Sequence, residues 1–225
     1  DWLGQRYADL LDDSEQQFLH QFAQLPQPAQ ALLVRMVMRK GPWFRASKLV
    51  YDEIPDTHQA AVPLLQLGWL NTSPPMALAE LFGLHTKAEL LPMLRDARLA
   101  PSMRKADMLL ALQGTGEEAV AARPYPDWIP HAQEPVWRVM VGEVCERFRL
   151  MFFGNLYQDW SEFVLADLGI FRYEAVTLDA ASRAFQQRAD VDTYLAIATC
   201  RQTLDEGADA ATLLRTLAGL KSDNP

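Results

Sequence analysis

The 225-residue chain is poor in cysteine, histidine and lysine, has no long hydrophobic run and carries no excess of positive charge. Two cysteines, Cys145 and Cys200, are too few for a disulfide framework in a chain of this length. Both fall in apolar helical surroundings that suit buried, reduced thiols. The longest apolar stretches, such as Leu150-Met151-Phe152-Phe153, fall far short of the roughly 18 residues that a bilayer span needs, so no membrane partner is expected. His20, His58, His85 and His131 lie far apart without zinc-ligand spacing to one another or to the cysteines, which suits surface or capping roles. Gly114-Thr115-Gly116 is not followed by the Gly-Lys-Ser/Thr of a phosphate-binding loop. The net charge of −8 argues, at first sight, against a polyanionic partner. Alternating, strand-like runs are scarce as well.

What the chain does have is apolar residues at helical spacing in nearly every segment, which predicts a mainly α fold. A first helix is expected over Ser14–Leu25, with Ser14 as N-cap and Phe18, Phe22 and Leu25 on one face. Pro26-Gln27-Pro28 ends it and starts a second, carrying Ala31, Leu32, Leu33, Met36 and Val37 up to Gly41-Pro42. Trp43–Tyr51 reads as a connector with a brief strand, and a further helix over His58–Leu67 is closed by Gly68. Pro74-Pro75 marks a boundary before three short helices in 76–112. Residues 114–135 hold two glycines and four prolines and read as a linker. An amphipathic helix is expected from Pro135 to Phe153, with Val136, Val139, Met140, Val144, Phe148 and Met151 facing a core and Gly154-Asn155 breaking it. Short helical hairpins follow to Leu220. The chain opens on Asp1 rather than Met and ends just past an amphipathic segment, which suggests a piece of a longer protein.

The charge is unevenly spread. Residues 1–30 sum to −4, residues 31–112 to +3 and residues 113–225 to −7. Arg35, Arg39, Lys40, Arg45 and Lys48 supply five cations without an anion across 14 residues, interleaved with Trp43 and Phe44. Such a cluster can bind phosphates through counterion release, and an acidic remainder limits non-specific adhesion rather than preventing binding. Arg35 and Arg39 share a helix face at i and i+4. Trp43 and Phe44 are expected to be core residues rather than stacking platforms.

Thr86-Lys87-Ala88-Glu89 has the spacing of a capping box and starts a helix with Leu90, Leu91 and Leu94 inward. Ser102 is expected to cap a second helix bearing Arg104, Lys105, Met108, Leu109 and Leu112. This pair of helices, with Lys87, Arg104 and Lys105 near helix starts where backbone N–H groups favour phosphate, resembles a SAP-type DNA-binding module. Met103 stands where that family usually has glycine.

Arg35-Met36-Val37-Met38-Arg39-Lys40-Gly41-Pro42-Trp43-Phe44-Arg45, then Leu49-Val50-Tyr51-Asp52-Glu53-Ile54, resembles the segment preceding the SAP module in the Fanconi-associated nuclease family. Residues 153–174, Phe-Gly-Asn-Leu-Tyr-Gln-Asp-Trp-Ser-Glu-Phe-Val-Leu-Ala-Asp-Leu-Gly-Ile-Phe-Arg-Tyr-Glu, are the most diagnostic stretch, and five Lys beside sixteen Arg suit a bacterial member. The resemblance implies an N-terminal helical, winged-helix-like DNA-binding region over 1–75, a SAP-like module over 76–113, the linker at 114–135 and, from 136 to 225, helical hairpins leading into a repeat-like region. It also implies a structure-specific DNA nuclease of the 5′-flap endonuclease and 5′-exonuclease type, a phosphodiesterase acting in interstrand cross-link repair. Its partners would be branched or flap DNA and a C-terminal VRR-type nuclease segment of the same protein. The compartment would be the bacterial cytoplasm at the nucleoid, or the nucleus in a eukaryote. Arg35, Arg39, Lys40, Arg45, Lys48, Lys87, Arg104 and Lys105 would grip the DNA.

Catalysis in that family uses Mg²⁺ or Mn²⁺ on an Asp followed later by Glu-x-Lys. Two residues before Lys40, Lys48, Lys87, Lys105 and Lys221 stand Met38, Ala46, His85, Met103 and Gly219, so the Glu-x-Lys element is not in this sequence and no catalytic or metal-binding residue is assigned. Asp159, Glu162 and Asp167 read as a helix start wedged into a core rather than a metal site. Two other classes remain open on residues alone: a helical adaptor using 136–220 to bind proteins, and a sequence-reading transcription regulator.

Overall fold

The structure, a computed structural model, describes residues 2–39, 41–94, 99–114, 121–130, 134–158, 182–205 and 207–220. These fall into two compact units, one formed by 26–141 and the other by the two chain ends, 1–25 with 142–225.

In the chain-end unit, α1 (Trp2–Arg6) precedes the expected first helix, and α2 runs over Asp13–Gln24. Asp12, not Ser14, is its N-cap. Asp12 accepts from the Glu15 N–H at 2.9 Å while the Glu15 carboxylate accepts from the Asp12 N–H at 3.0 Å, a reciprocal box that leaves the Ser14 hydroxyl to donate to Asp12.

The 26–141 unit begins with α3 (Gln27–Val37), whose first turn tolerates Pro28 and which buries Ala29, Leu32, Leu33 and Met36. Then come β1 (Trp43–Arg45), a 3-10 turn over Ala46–Lys48, α4 (Thr57–Gln66) and β2 (Leu70–Asn71). Asp56 caps α4, which packs on α3. Gly68 (φ +70°) supplies the left-handed turn that ends it. Three short helices follow as expected, α5 (Leu78–Leu84), α6 (Lys87–Met93) and α7 (Lys105–Gln113). The Thr86–Glu89 box forms, with the Thr86 N–H donating to Glu89 at 2.8 Å. Ser102 caps nothing. The N-cap of α7 is Arg104, without a side-chain cap bond, and its guanidinium turns to Asp107 at 2.9 Å.

Residues 123–129 are not linker. Met76 and Arg123 exchange backbone hydrogen bonds at 2.8 and 3.2 Å, and α8 (Tyr125–Trp128) drives Tyr125, Trp128 and Ile129 into the same apolar cluster as Leu81, Phe82, Leu90 and Met108. The prolines here start and end a helical turn instead of marking free chain.

The expected helix over 135–153 is two elements. β3 (Val136–Val139) is the central strand of a three-stranded antiparallel sheet in the order β1-β3-β2, with Phe44 opposite Trp137 and Leu70 opposite Val139. Two β-branched residues and a tryptophan, with backbone partners on both sides, favour the extended form over the helix that the apolar spacing suggested. Met140 is consequently an exposed residue, not a core one. The sheet makes 72–135 an insertion between two paired strands. Trp43 and Val136 belong to the insertion's apolar cluster, so this module is not packed independently of the rest of its unit.

Beyond the sheet, α9 (Gly142–Phe153), α10 (Arg188–Asp205) and α11 (Ala210–Ala218) complete the chain-end unit. Glu15, fully buried, accepts from Arg147 at 2.9 Å and Arg188 at 2.6 Å, while Arg183 holds Asp9 bidentately at 2.5 and 3.0 Å. Phe18 meets Phe148 at 5.6 Å. Cys145 and Cys200 are buried free thiols, and burial pushes Cys145 up to about 12, so it is inert as a nucleophile. Most of the diagnostic 153–174 stretch, including Asp159, Glu162 and Asp167, lies outside the described residues, as do Lys40 and His131.

Candidate nucleic-acid interface

The C-terminus of α3, β1 and the 3-10 turn bring part of the basic cluster to one groove. The groove, about 350 Å³, is walled by Arg39, Trp43, Phe44 and Lys48 on one side and by Glu80, Gly83 and Leu84 of α5 on the other. Arg39 lies 5.9 Å from the Phe44 ring, with its Nη1 at 3.4 Å from the Lys48 carbonyl and 3.3 Å from the Tyr51 hydroxyl. None of these partners is an anion, so its charge stays available. Lys48 is exposed at the end of the 3-10 turn. Trp43 and Phe44 are buried, as expected of core residues.

Lys87 and Lys105 are the first residues of α6 and α7, where free backbone N–H groups add partial positive charge. Lys48, Lys87 and Lys105 make no ion pair among the described residues. Two other candidates are partly neutralised on the surface: Arg35 by Glu53 at 2.5 Å, with both side chains nearly half exposed, and Arg104 by Asp107. Such exposed pairs are weak and can exchange an internal carboxylate for a phosphate.

Arg45 does not belong with them. Its side chain is 12% exposed, with Nη1 at 2.6 Å from Glu89 and Nη2 at 2.5 Å from Glu134. Glu134 also accepts from the Ser47 hydroxyl. Two carboxylates enclose one guanidinium, so the expected phosphate contact is replaced by an internal ion cluster. Beside it, His85 is buried, not on the surface. Its Nε2 shares a 3.0 Å hydrogen bond with the Tyr125 hydroxyl, its Nδ1 has no hydrogen-bond partner among the described residues, and burial followed by the Arg45 charge holds its pKa below the usual value.

Two arginines escaped sequence reasoning: Arg138 on β3, 5.5 Å from the Trp43 ring, and Arg123, 3.9 Å from the Trp128 ring. The run Val136-Trp137-Arg138-Val139 is rich in β-forming residues, but its apolar spacing also fits a helix. Among the described residues no group of three or more His, Cys, Asp or Glu could hold a metal ion, and no helix is long and apolar enough to cross a membrane.

The geometry defines a helical unit with a small sheet, interrupted by a SAP-like helical module and carrying its free cations at one groove and two helix starts. Known proteins agree. Residues 1–71 match the family described as FAN1, HTH domain, and 75–128 match the Fanconi anemia-associated nuclease SAP domain, together more than half of the chain. The chain belongs to the Fanconi-associated nuclease family. It is 52% identical over 224 residues to the Fanconi-associated nuclease 1 homolog of Pseudomonas aeruginosa, covering 100% of this chain and 40% of that protein. The homolog of Oryza sativa subsp. japonica is 28% identical, over 92% of this chain and 22% of its own length. Among solved structures, paFAN1 bound to 5′-flap DNA with a 2-nucleotide flap and a gap aligns at a TM-score of 0.91 and 52% identity, over 100% of this chain and 40% of that one. Its counterpart with a 1-nucleotide flap aligns equally well, at 51% identity. The chain thus spans about two fifths of the length of its Pseudomonas relative.

Proposed function

We propose that this chain is the DNA-gripping part of a structure-specific nuclease and that it holds duplex DNA beside a 5′ flap. The observation that carries this reading is the distribution of unpaired cations in the 26–141 unit. Arg39 and Lys48 flank one groove, and Lys87 and Lys105 open two helices of the inserted module, while the chain as a whole is acidic. All are phosphate-type contacts, so the chain reads backbone shape rather than base sequence. The solved relatives that carry 5′-flap DNA support the choice of ligand.

Hydrolysis, cross-link repair and action at the bacterial nucleoid come with the same reading. Mg²⁺ or Mn²⁺, when bound, would activate a water and neutralise charge building on the phosphate. The sequence has no Glu-x-Lys element, so this reading assigns hydrolysis to the portion of the relatives' length that this chain does not span.

The test is a salt titration on flap DNA. Arg39→Glu combined with Lys105→Glu should lower affinity more than tenfold at about 0.1 M salt and flatten the slope of log K against log salt by about 2, near 0.9 for each phosphate no longer neutralised. Unchanged affinity and slope would reject the mapping.

A further inference from the structure

We infer that Arg45 is a positioning residue, which sets the spacing between the Arg39–Lys48 cations and the Lys87–Lys105 cations so that one duplex can engage both. This rests on the DNA-gripping reading above.

Three observations converge on it. Arg45 is closed to phosphate, because a DNA anion approaching it would be the third negative charge around one guanidinium that already serves Glu89 and Glu134. Its two anions, in turn, are tied to the elements that carry Lys87 and Lys48. Glu89 is the box residue of α6, accepting from the Thr86 N–H at 2.8 Å and the Thr86 hydroxyl at 2.9 Å, and thereby sets the helix start that Lys87 occupies. Glu134 accepts from Ser47, the neighbour of Lys48 in the 3-10 turn. Arg45 is therefore the direct polar link from the turn bearing Lys48 to the helix start bearing Lys87. A planar guanidinium with N–H groups directed to two carboxylates fixes angle as well as distance, which a lysine ammonium would not do.

The third observation is topological. The inserted module is tethered at both ends by strands of one sheet, and Arg45 itself pairs with Val136 at the edge of β3. Two tethers, the apolar cluster shared with Trp43 and Val136, and one polar clamp leave the module little freedom. When two binding patches are held rigidly at a separation that suits one ligand, the second contact forms at high effective concentration, and affinity depends on both being reached.

The test uses the 225-residue chain with Arg45→Met combined with Glu89→Gln. The pair leaves net charge unchanged, and glutamine can still close the capping box. Affinity for a duplex of about three helical turns, roughly 30 base pairs, is measured for this variant in the otherwise unmodified chain and in a Lys87→Ala/Lys105→Ala background that keeps one cation set. The variant should lose at least tenfold in the first and no more than twofold in the second. Equal loss in both backgrounds, with the salt slope reduced by about one, would overturn the proposal by making Arg45 a direct phosphate contact. Unchanged affinity in both, in a folded variant, would also overturn it, since the cluster would then be structural only.

A second measurement needs no DNA. Spin labels on Val50→Cys and Ala88→Cys, both exposed, report the separation of the two cation-bearing elements. Buried Cys145 and Cys200 are replaced by alanine, and the same background without Arg45→Met and Glu89→Gln serves as reference. The reference should give a narrow distance distribution and the Arg45→Met/Glu89→Gln variant a clearly broader one. An equally narrow distribution would overturn the proposal. If the distribution broadens while even the unmodified chain shows no salt-dependent DNA binding, the DNA-gripping reading has failed and the clamp has not.

Discussion

Arg39 and Arg45 sit six positions apart in the same basic run, yet one lies against an aromatic ring and a carbonyl and the other is locked between two carboxylates. The lock has a pH signature. The Arg45 guanidinium, with the Thr86 donors, holds the Glu89 carboxyl at about 2, against an ordinary 4.5. Folding lowers this pKa, so the stabilisation is complete above pH 4.5 and is lost as pH falls towards 2. It amounts to on the order of 2 kcal/mol once solvent screening is counted. His85 acts in the same direction at higher pH. Its pKa is also lowered by folding, so acidification below 6.5 favours the unfolded, protonated form. In thermal melts, Glu89→Gln is expected to be less stable than the parent chain at pH 7, with the gap closing progressively below pH 4.5. A gap of constant size down to pH 2.5 would show that Glu89 is not held by Arg45. None of this was legible in the run itself, because the partners of Arg45 lie 44 and 89 residues away, and a spacing argument sees only neighbours. The placing of Lys87 and Lys105 at helix starts was legible because a first helical turn is defined by local chain chemistry.

At the scale of elements, punctuation decided what could be read. Thr86 and Glu89 are three residues apart, so the whole capping box is written in four letters, and α6 starts where they say. The sheet is written non-locally. β3 takes one partner from residues 43–45 and the other from 70–71, and no window around Val136 contains either. Without those partners its apolar spacing is compatible with the helix that was expected. Gly154 ends α9 as anticipated, for both a backbone and a steric reason. Its φ is +72°, and a Cβ built there would lie 2.9 Å from the Ala184 Cβ. Gly154→Ala combines a left-handed backbone with a steric collision and should destabilise the chain by about 1–3 kcal/mol. Gly68, with φ +70° but open space around it, is the control, and Gly68→Ala should cost less. Urea midpoints of the two variants compare them directly. Equal losses would mean that the contact with Ala184 contributes nothing.

The whole molecule is organised by returns of the chain. The first 25 residues complete a unit whose other members begin at Gly142, joined through Glu15, Arg147 and Arg188. A chain beginning at Pro26 should therefore lose amide protection over 142–153 and 188–205 while keeping it over 27–37 and 57–66, as read by hydrogen exchange. Retained protection at 188–205 would show that the C-terminal helices do not need the first 25 residues. The same returns explain why the net charge misled. A sum of −8 averages acidic ends, which build one unit, with a positive middle, which lies in the other.

The sheet order also carries a consequence in time. A chain emerging from the ribosome makes β1 and β2 early, but the strand that separates and pairs them is residues 136–139. At a synthesis rate of about 5–20 residues per second, Trp43 and Phe44 wait roughly 5–20 s for their strand partner. Glu89 is available to Arg45 well before Glu134 is, so the helices of the inserted module can gather on β1 before the sheet that anchors them is complete.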